Sequence, residues 1–380
     1  MNPATTRSRT GQPSIEWTAL QFLCRSVYEG EWYPAALRDL IARPTFVWGR
    51  LLESALRNKL QALVSSTLLH PMYKECVPDR VRSHFHAITG LTRHRIQILS
   101  EASGAVLPHL SSAHIAVAAR KGILFEHLLY GARGIRVFCD VDLMVPPSDM
   151  PRLVGVLFEL GFSVGEWDLY AGQVVPHDRV TLITYRLNPD HAPRMVRPTA
   201  DPFVPCIEMD LACSFTWARS DYQVPLEDAF ASVRPVAIRG MGEAVPVFSP
   251  DYIVIDGIMH LFREAFVQSS RERANAIAMS AFLDVLLLWR WYRDSHPGRT
   301  LDSVLGRFGL AEPAAWVLGH ADRLVGTSAT REAGLDRLAT EQWLGTFRAA
   351  GGALTPWSGD MRARLQAGTP MGIGEGELAL

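Results

Sequence analysis

The first quarter of the chain has the hydrophobic spacing of amphipathic helices. Apolar residues recur at steps of three and four, as at Trp48, Leu51 and Leu52. A period close to 3.6 residues places such positions on one face of a helix. This pattern predicts a helical N-terminal lobe over residues 15–110, and the polar residues 1–14 are expected to be disordered.

The helical period ends near residue 111. Ile115, Val117 and Ala119 then recur at every second position, which predicts a short strand. Residues 135–145 form a second, strongly apolar strand. It ends at Pro146 and Pro147, because proline cannot continue a central strand.

Further helices and strands complete a central domain predicted over residues 111–248. A helix is expected between the first two strands and another over residues 149–160, with Gly161 at its C-terminal stop. Residues 180–187 and 206–215 have the pattern of strands. Scattered prolines between those two strands exclude regular structure there.

The helical period returns at Ser249, which is followed by a proline and suits an N-cap. Helices are expected over residues 252–266 and 274–292. The second is apolar and buried, but too short to span a membrane. These helices predict a C-terminal helical lobe over residues 249–367, and the glycine-rich residues 368–380 are expected to form a flexible tail.

The charge balance disfavours nucleic acid as a partner. The chain has 38 basic and 39 acidic residues, whereas phosphate binding usually requires a basic excess. Its five cysteines are widely spaced and form no CxxC pair, which argues against disulfides and structural zinc. Because the first residues lack an apolar signal segment, we expect a cytoplasmic protein with no membrane partner.

Two aspartates, Asp140 and Asp142, lie two residues apart within the apolar strand. Their side chains therefore share a face, where two carboxylates repel each other and are costly to desolvate. A divalent cation resolves this conflict, and Mg²⁺ (or Mn²⁺) accepts carboxylates together with substrate phosphates. The alternative, a solvent-facing pair on an edge strand, is disfavoured by the apolar neighbours.

A second acidic pair, Glu208 and Asp210, alternates with apolar residues on a later strand. Either residue could add a third carboxylate to a two-metal site. The sequence leaves open which one binds, and it also leaves open an ordinary surface strand.

Lys121 and Gly122 lie where a strand gives way to a helix. A helix N-terminus offers free N–H groups and a positive dipole end, both suited to phosphate. The chain contains only three lysines, Lys59, Lys74 and Lys121, so each one is notable. A plain turn is the alternative interpretation.

These motifs together resemble an uncharacterised nucleotidyltransferase family found in many bacterial genomes. The resemblance is carried by Lys121-Gly122, by Arg136 and by residues 138–145, and it extends more loosely over residues 110–290. It implies an α+β fold. The core would be a short mixed sheet with flanking helices, placed between the two helical lobes.

The resemblance also implies roles for the acidic residues. Asp140 and Asp142 match the metal carboxylates, and Glu208 matches the third acidic position and could act as the base. Similar proteins often carry a histidine where this chain has Asp210. That departure leaves the acceptor side open, and His177 is a second candidate there.

The phosphate side is implied in the same way. Lys121 and Gly122 would form the phosphate-binding turn, with Arg136 near the triphosphate. The expected reaction transfers a nucleoside monophosphate, by default AMP, from a nucleoside triphosphate to an unidentified small molecule, peptide or protein. Pyrophosphate would leave.

Other polar residues of the central and C-terminal regions are expected to be structural. Asp256 and His260 share a helix face and suit a hydrogen-bonded pair, while Asp284 needs a buried partner, most naturally an arginine. The segment 188–205, with His191 and several arginines, is either a lid for an anionic acceptor or a solvated connection.

Two rival functions remain. A metal-dependent glycosyltransferase also uses an Asp-x-Asp motif, but its motif normally follows a nucleotide-binding βαβ region, and the preceding hundred residues have a helical pattern. A regulatory protein on a decayed nucleotidyltransferase scaffold would bind nucleotide without turnover.

Overall fold

The computed structural model of the chain describes residues 13–218, 220–267, 277–349, 352–357 and 360–367. The flexible tail predicted at 368–380 lies outside the described residues, as do residues 1–12 of the disordered segment predicted over 1–14 and residue 274, where a helix was predicted to begin. Among the described residues that helix begins at Met279. Among the described helices, none is long and apolar enough to cross a membrane.

The N-terminal part of the chain folds into helices. They are α1 (Ile15–Glu29), α2 (Ala35–Ile41), α3 (Trp48–Arg57), α4 (Gln61–Leu68), a 3₁₀ turn (Pro71–Tyr73) and α5 (Asp79–Ser112). The first helix begins where the Ser14 side chain accepts a hydrogen bond from the Trp17 N–H, and it ends at a left-handed Gly30. Both are ordinary helix caps. The helical pattern of this region is confirmed.

The central part alternates short strands and helices. In order they are β1 (Ala118–Ala119), α6 (Lys121–Leu128), β2 (Asp140–Met144), α7 (Met150–Glu159), β3 (Ser163–Val164), β4 (Glu166–Asp168), β5 (Gln173–Val175), α8 (Arg179–Leu187), β6 (Met195–Pro198), β7 (Cys206–Ala212), α9 (Leu226–Ala231), β8 (Arg234–Ala237) and β9 (Ala244–Val247). One mixed sheet has the order β1-β2-β7-β6-β3, with β2 and β7 parallel and the other pairs antiparallel. The ribbons β4-β5 and β8-β9 complete the predicted α+β fold.

One face of the mixed sheet is covered by α5 and α7. Leu99 and Leu153 of these helices belong to the same buried cluster as Val141 of β2 and Met209 of β7. Side chains alternate between the two faces of a strand. The even-numbered residues of β2 and β7, which include all the acidic ones, therefore lie on the opposite face.

The C-terminal part is built on two long helices, α10 (Pro250–Phe266) and α11 (Met279–Ser295). The first begins after Ser249 with proline in its first turn, as predicted. Shorter elements follow: α12 (Leu301–Gly306), α13 (Ala311–Val325), α14 (Ala329–Glu332), α15 (Glu341–Leu344), β10 (Thr346–Arg348), β11 (Leu354–Pro356) and α16 (Met361–Ala367). The β10-β11 hairpin was not expected in a helical lobe.

The second predicted strand, over residues 135–145, is shorter than expected. Its regular part is Asp140–Met144. Before it, the Glu126 carboxylate accepts hydrogen bonds from the backbone N–H groups of Gly134 and Arg136. Those groups are thereby engaged by a side chain instead of a neighbouring strand, so the ladder begins only at Asp140.

The strand predicted over residues 180–187 is wrong, because this segment is the helix α8. Asp178 caps it by accepting a hydrogen bond from the Thr181 N–H at 2.7 Å. β-branched residues favour strands when a sheet or core packs against them, and no residue of α8 is buried. Local capping therefore decides the structure here.

The proline-rich segment 188–205 contains a strand, although prolines had excluded regular structure. β6 pairs antiparallel with β7, and Pro198 is its last residue. Proline is tolerated at a strand end because its missing N–H is not required within the ladder. The segment is therefore neither a lid nor a solvated connection along its whole length.

Candidate active site

Four carboxylates share one face of the sheet because β2 and β7 are parallel and in register. Asp140 lies opposite Glu208, and Asp142 lies opposite Asp210. Adjacent strands are only about 5 Å apart, so the four negative charges repel one another strongly. The arrangement is stable only with cations nearby.

Lys121 supplies one of these cations. Its Nζ lies 2.6 Å from Asp142 Oδ1 and 3.8 Å from Asp210 Oδ2. The approach to Asp142 is not in hydrogen-bond geometry, and Asp142 Oδ1 has no hydrogen-bond partner among the described residues. Burial raises the pKa of Asp142 to about 7, against the opposing charge of Lys121 and with the help of Asp140. The ionised form of Asp142 is therefore stabilised by any cation bound beside it.

The second acidic pair is held by different cations. Arg194 Nη1 lies 2.8 Å from Glu208 Oε2, and burial raises the pKa of Glu208 although Arg194 opposes this. Burial would also raise the pKa of Asp210, but the charges of Lys121 and His191 outweigh it and hold that pKa below its usual value. Asp210 is thus the more firmly ionised of the two.

The turn between β1 and α6 brings the backbone against the acidic strand. Lys121 has a φ of 30°, and Gly122 has φ 5° and ψ −103°. A Cβ on Gly122 would lie 3.2 Å from the Phe138 ring, 3.3 Å from Asp142 Oδ2 and 3.4 Å from the Asp140 carbonyl oxygen. Glycine therefore permits a close approach that a larger residue would obstruct.

Arg136 lies behind this turn and is already paired. Its guanidinium binds Asp284 at 2.9 Å, and its Nη1 donates to the Gly122 carbonyl at 3.4 Å. Tyr130 donates its hydroxyl to Asp284 at 2.7 Å. The prediction that Asp284 has an arginine partner is confirmed. A role for Arg136 beside the triphosphate stays a prediction.

A polar stripe on the apolar helix α10 faces the site. Arg120, next to Lys121, makes a buried ion pair with Asp256, so the predicted pairing of Asp256 with His260 is wrong. Burial lowers the pKa of His260 well below its usual value, and the charges of Lys121 and Arg120 add to this. One turn later Arg263 binds Asp190 at 3.0 Å.

Sequence analysis missed several of these residues. Arg263 completes an i, i+4, i+7 spacing with Asp256 and His260, which a helical-wheel reading would have shown. Arg194 was hidden among surface-like arginines in the proline-rich segment. Its signal is its place one residue before β6, opposite Asp210 in the antiparallel register.

An open cleft of about 490 Å³ lies at the carboxyl ends of β2 and β7. It lies between α7 and α8, and its lining includes Pro147, which follows β2, and Cys213, which follows β7. His191 also lines the cleft. The charge of His191 also lowers the pKa of Asp210, so His191 connects the cleft with the carboxylates, which do not line it.

His177 lies near this cleft without lining it. It precedes α8, and its ring lies 5.9 Å from that of Tyr185, which lines the cleft. Its Nε2 is buried with no hydrogen-bond partner among the described residues. Neither of the two predicted acceptor-side residues, His177 and Asp210, lines the cleft, so their role there stays a prediction.

The donor atoms fit a hard divalent cation, although the present arrangement is not a formed metal site. In the described parts of the chain, no three His, Cys, Asp or Glu side chains are arranged to hold a metal ion. Oxygen ligands from carboxylates are those that Mg²⁺ prefers. Withdrawal of Lys121 would leave the unused oxygen of Asp142 facing Asp210 and available to such a cation.

A family comparison agrees with this geometry. The model described as an uncharacterised nucleotidyltransferase matches residues 44–326. The match includes the whole carboxylate face and reaches beyond residues 110–290 into both helical regions. No curated protein matches the chain. By this match over most of its length, the chain belongs to the uncharacterised nucleotidyltransferase family.

Proposed function

We propose that this protein transfers a nucleoside monophosphate, by default AMP, from a nucleoside triphosphate to an acceptor, with release of pyrophosphate. The observation that carries the proposal is the register of two parallel strands, which sets Asp140 beside Glu208 and Asp142 beside Asp210. The family match supports the transferase class. The donor base and the acceptor are parts of the proposal that the family match leaves open.

Asp140, Asp142 and Glu208 are the proposed metal ligands. Mg²⁺ or Mn²⁺ bound there would neutralise charge on the α-phosphate and the departing pyrophosphate. Lys121 would exchange its contact with Asp142 for one with a phosphate oxygen, and Gly122 would let the phosphates approach the turn. The protein's contribution is then positioning and charge neutralisation.

Glu208 and Asp210 remain two alternatives for the third carboxylate, and matched variants distinguish them. With Glu208 as the ligand, Glu208→Gln lowers Mg²⁺-dependent nucleotide affinity about 10- to 100-fold, whereas Asp210→Asn changes it by less than about threefold. Titration calorimetry of both variants measures this difference. The reverse pattern would assign the ligand role to Asp210.

The cleft between α7 and α8 is the proposed acceptor site. It opens at the carboxyl ends of β2 and β7, and His191 in its lining influences the pKa of Asp210. His191 lines it, and His177 lies beside Tyr185 of its lining, so an acceptor hydroxyl, amine or carboxylate there would meet polar groups within a mostly apolar cleft. Glu208, whose pKa is raised by burial, is the candidate base for the acceptor proton.

Labelled nucleotides test the reaction type directly. The protein is incubated with Mg²⁺, a fractionated cell extract, and each nucleoside triphosphate carrying ³²P at either the α or the γ position. Nucleotidyl transfer predicts that only the α label enters a new product and that the γ label leaves as pyrophosphate. Transfer of the γ label would contradict the proposal, and nucleotide binding without any transfer would favour a regulatory scaffold.

A further inference from the structure

Most cations around the carboxylate face already have an acidic partner. Lys121 binds Asp142, and Arg194 binds Glu208. The remaining three pairs join Arg120 to Asp256, Arg136 to Asp284 and Arg263 to Asp190. A triphosphate carries about four negative charges, so its outer phosphates need cations that are not committed elsewhere.

Two cations of the N-terminal region have uncommitted side chains. The side chains of Lys59 and Arg95 make no hydrogen bond or ion pair with any residue in the described part of the chain. The charges of both act on the Cys139 thiol, immediately before β2, and that of Arg95 also acts on Glu208. The geometry places both toward the amino-terminal edge of β2 and β7. His94, next to Arg95, binds Asp201 before β7. Asn58, next to Lys59, binds the start of α11, the helix whose Asp284 pairs with Arg136 before β2.

The helix α5 fixes Arg95 at this edge. The residue before it, His94, binds Asp201 in the β6–β7 connection at 2.7 Å, and Arg93 donates to the Arg133 carbonyl at 3.3 Å. Arg95 also lies one turn before Leu99, which is fully buried against the sheet. Arg95 is thus carried on a helix that is tied to both segments bordering the site.

The backbone at Lys59 has an unusual conformation. Its φ is 53°, in the left-handed region where glycine or asparagine is the common choice. The preceding residue, Asn58, is anchored to the start of α11 by a hydrogen bond from the Met279 N–H at 3.1 Å. A lysine at such a position points to a role for its side chain.

We propose that Lys59 and Arg95 bind the β- and γ-phosphates of the donor nucleotide. This inference rests on the proposed function, because attack and departure at the α-phosphorus occur roughly in line. The acceptor cleft lies at the carboxyl ends of β2 and β7, so pyrophosphate must leave toward the amino ends, where Lys59 and Arg95 lie. The N-terminal helices would then complete the donor site.

The test compares triphosphate and monophosphate binding by titration calorimetry with Mg²⁺. The probes are the α,β-methylene analogue of whichever nucleotide binds the wild type and the corresponding monophosphate. Lys59→Asn keeps a residue that tolerates the left-handed backbone, and Arg95→Gln removes the other charge. Each is expected to weaken triphosphate binding about tenfold and to leave monophosphate binding within about twofold.

Matched controls are available for both substitutions. Lys74→Gln removes another lysine, and Arg80→Gln removes an exposed arginine of α5 roughly 22 Å along the helix from Arg95. Both should bind triphosphate as the wild type does, and Arg95→Lys should bind it within about threefold.

Three results would overturn the inference. If Lys59→Asn and Arg95→Gln bind triphosphate as the controls do, the inference fails while the proposed function stands. If triphosphate and monophosphate weaken equally, the residues support the fold and do not bind the outer phosphates. If the wild type binds no nucleotide with any metal, both the inference and the proposed function fail.

Discussion

At the scale of single residues, opposing charges and close contacts define the candidate site. Lys121 neutralises the charge of Asp142. In the same turn, any side chain larger than that of Gly122 would force its neighbours to move. The Asp-x-Asp motif and the Lys-Gly turn were both visible in the sequence, since each is a local pattern. Their contact was not, because it depends on how β1, α6 and β2 pack.

The Gly122 contact predicts a specific loss. In Gly122→Ala the new Cβ lies 3.2–3.4 Å from Phe138, Asp142 and Asp140, so the turn must move away from the carboxylates. We expect Mg²⁺-dependent nucleotide affinity to fall about tenfold or more while the protein stays folded. Gly155→Ala is the control, because its Cβ meets nothing within 4 Å in helix α7. Equal affinities of the two variants would contradict this role.

A buried histidine predicts a pH dependence of stability. His320 lies in α13 and its Nε2 donates to the Leu344 carbonyl at 3.1 Å, while burial lowers its pKa to about 3. In the unfolded chain His320 takes up a proton as the pH falls through about 6.5, whereas in the folded chain it stays neutral. The free energy of unfolding therefore decreases as the pH is lowered below about 6.5. From pH 6.5 to 5 the loss is about 2 kcal/mol.

Urea unfolding at several pH values measures this loss. His320→Gln keeps a side-chain N–H donor but has no titrating group, so its free energy of unfolding should fall less between pH 6.5 and 5. The same loss in the variant and the wild type would contradict the assignment.

At the scale of elements, helix α10 is joined to the sheet by a buried ion pair between Arg120 and Asp256. Removing one partner leaves the other charge buried and unpaired. Asp256→Ala should therefore lower the free energy of unfolding by about 3–5 kcal/mol. Asp294→Ala, which removes an exposed ion pair with Arg293, should cost less than about 1 kcal/mol.

The double variant Arg120→Met/Asp256→Leu separates a missing charge from a missing contact. Both charges are absent from it, so it should recover much of the stability that Asp256→Ala loses. Chemical denaturation of the three proteins provides the comparison. A double variant less stable than Asp256→Ala would show that the pair stabilises the fold by more than mutual neutralisation.

The elements that the sequence predicted well are those with long periodic patterns. Helix α10 and the acidic strands β2 and β7 follow from local spacing, although both strands are shorter than predicted. The prediction for residues 180–187 was wrong because their β-branched residues suit a strand. The Asp178 cap favours a helix, and no residue of this helix is buried against another element. The parallel register of β2 and β7 joins residues far apart in the chain, and no local pattern contains it.

At the scale of the whole molecule, the first and last parts of the chain share one core. Trp17 and Leu20 of α1 belong to the same buried cluster as Phe262 of α10 and Trp316 of α13. The sequence predicted two helical lobes because each segment has its own apolar stripe. It could not show that the apolar stripes of the N- and C-terminal helices pack against each other, because no local pattern indicates which helices are in contact.

The shared core also has a consequence for the site. It holds the N-terminal helices against the sheet, so Lys59 and Arg95 can contribute to a site whose carboxylates come from the central strands. The sequence identified the acidic residues and Lys121. It contained no sign that the N-terminal region places Lys59 and Arg95 toward the amino-terminal edge of β2 and β7.

The most direct test of the central claim is Mg²⁺-dependent binding of non-hydrolysable ATP, GTP, CTP and UTP analogues. Titration calorimetry compares the wild type with the double variant Asp140→Asn/Asp142→Asn, which keeps the side-chain shapes but removes two metal-ligand charges. The account predicts that at least one nucleotide binds the wild type only with the metal, and that the double variant loses this binding at least about a hundredfold. Equal binding by both proteins, or no binding by the wild type under any metal condition, would contradict it.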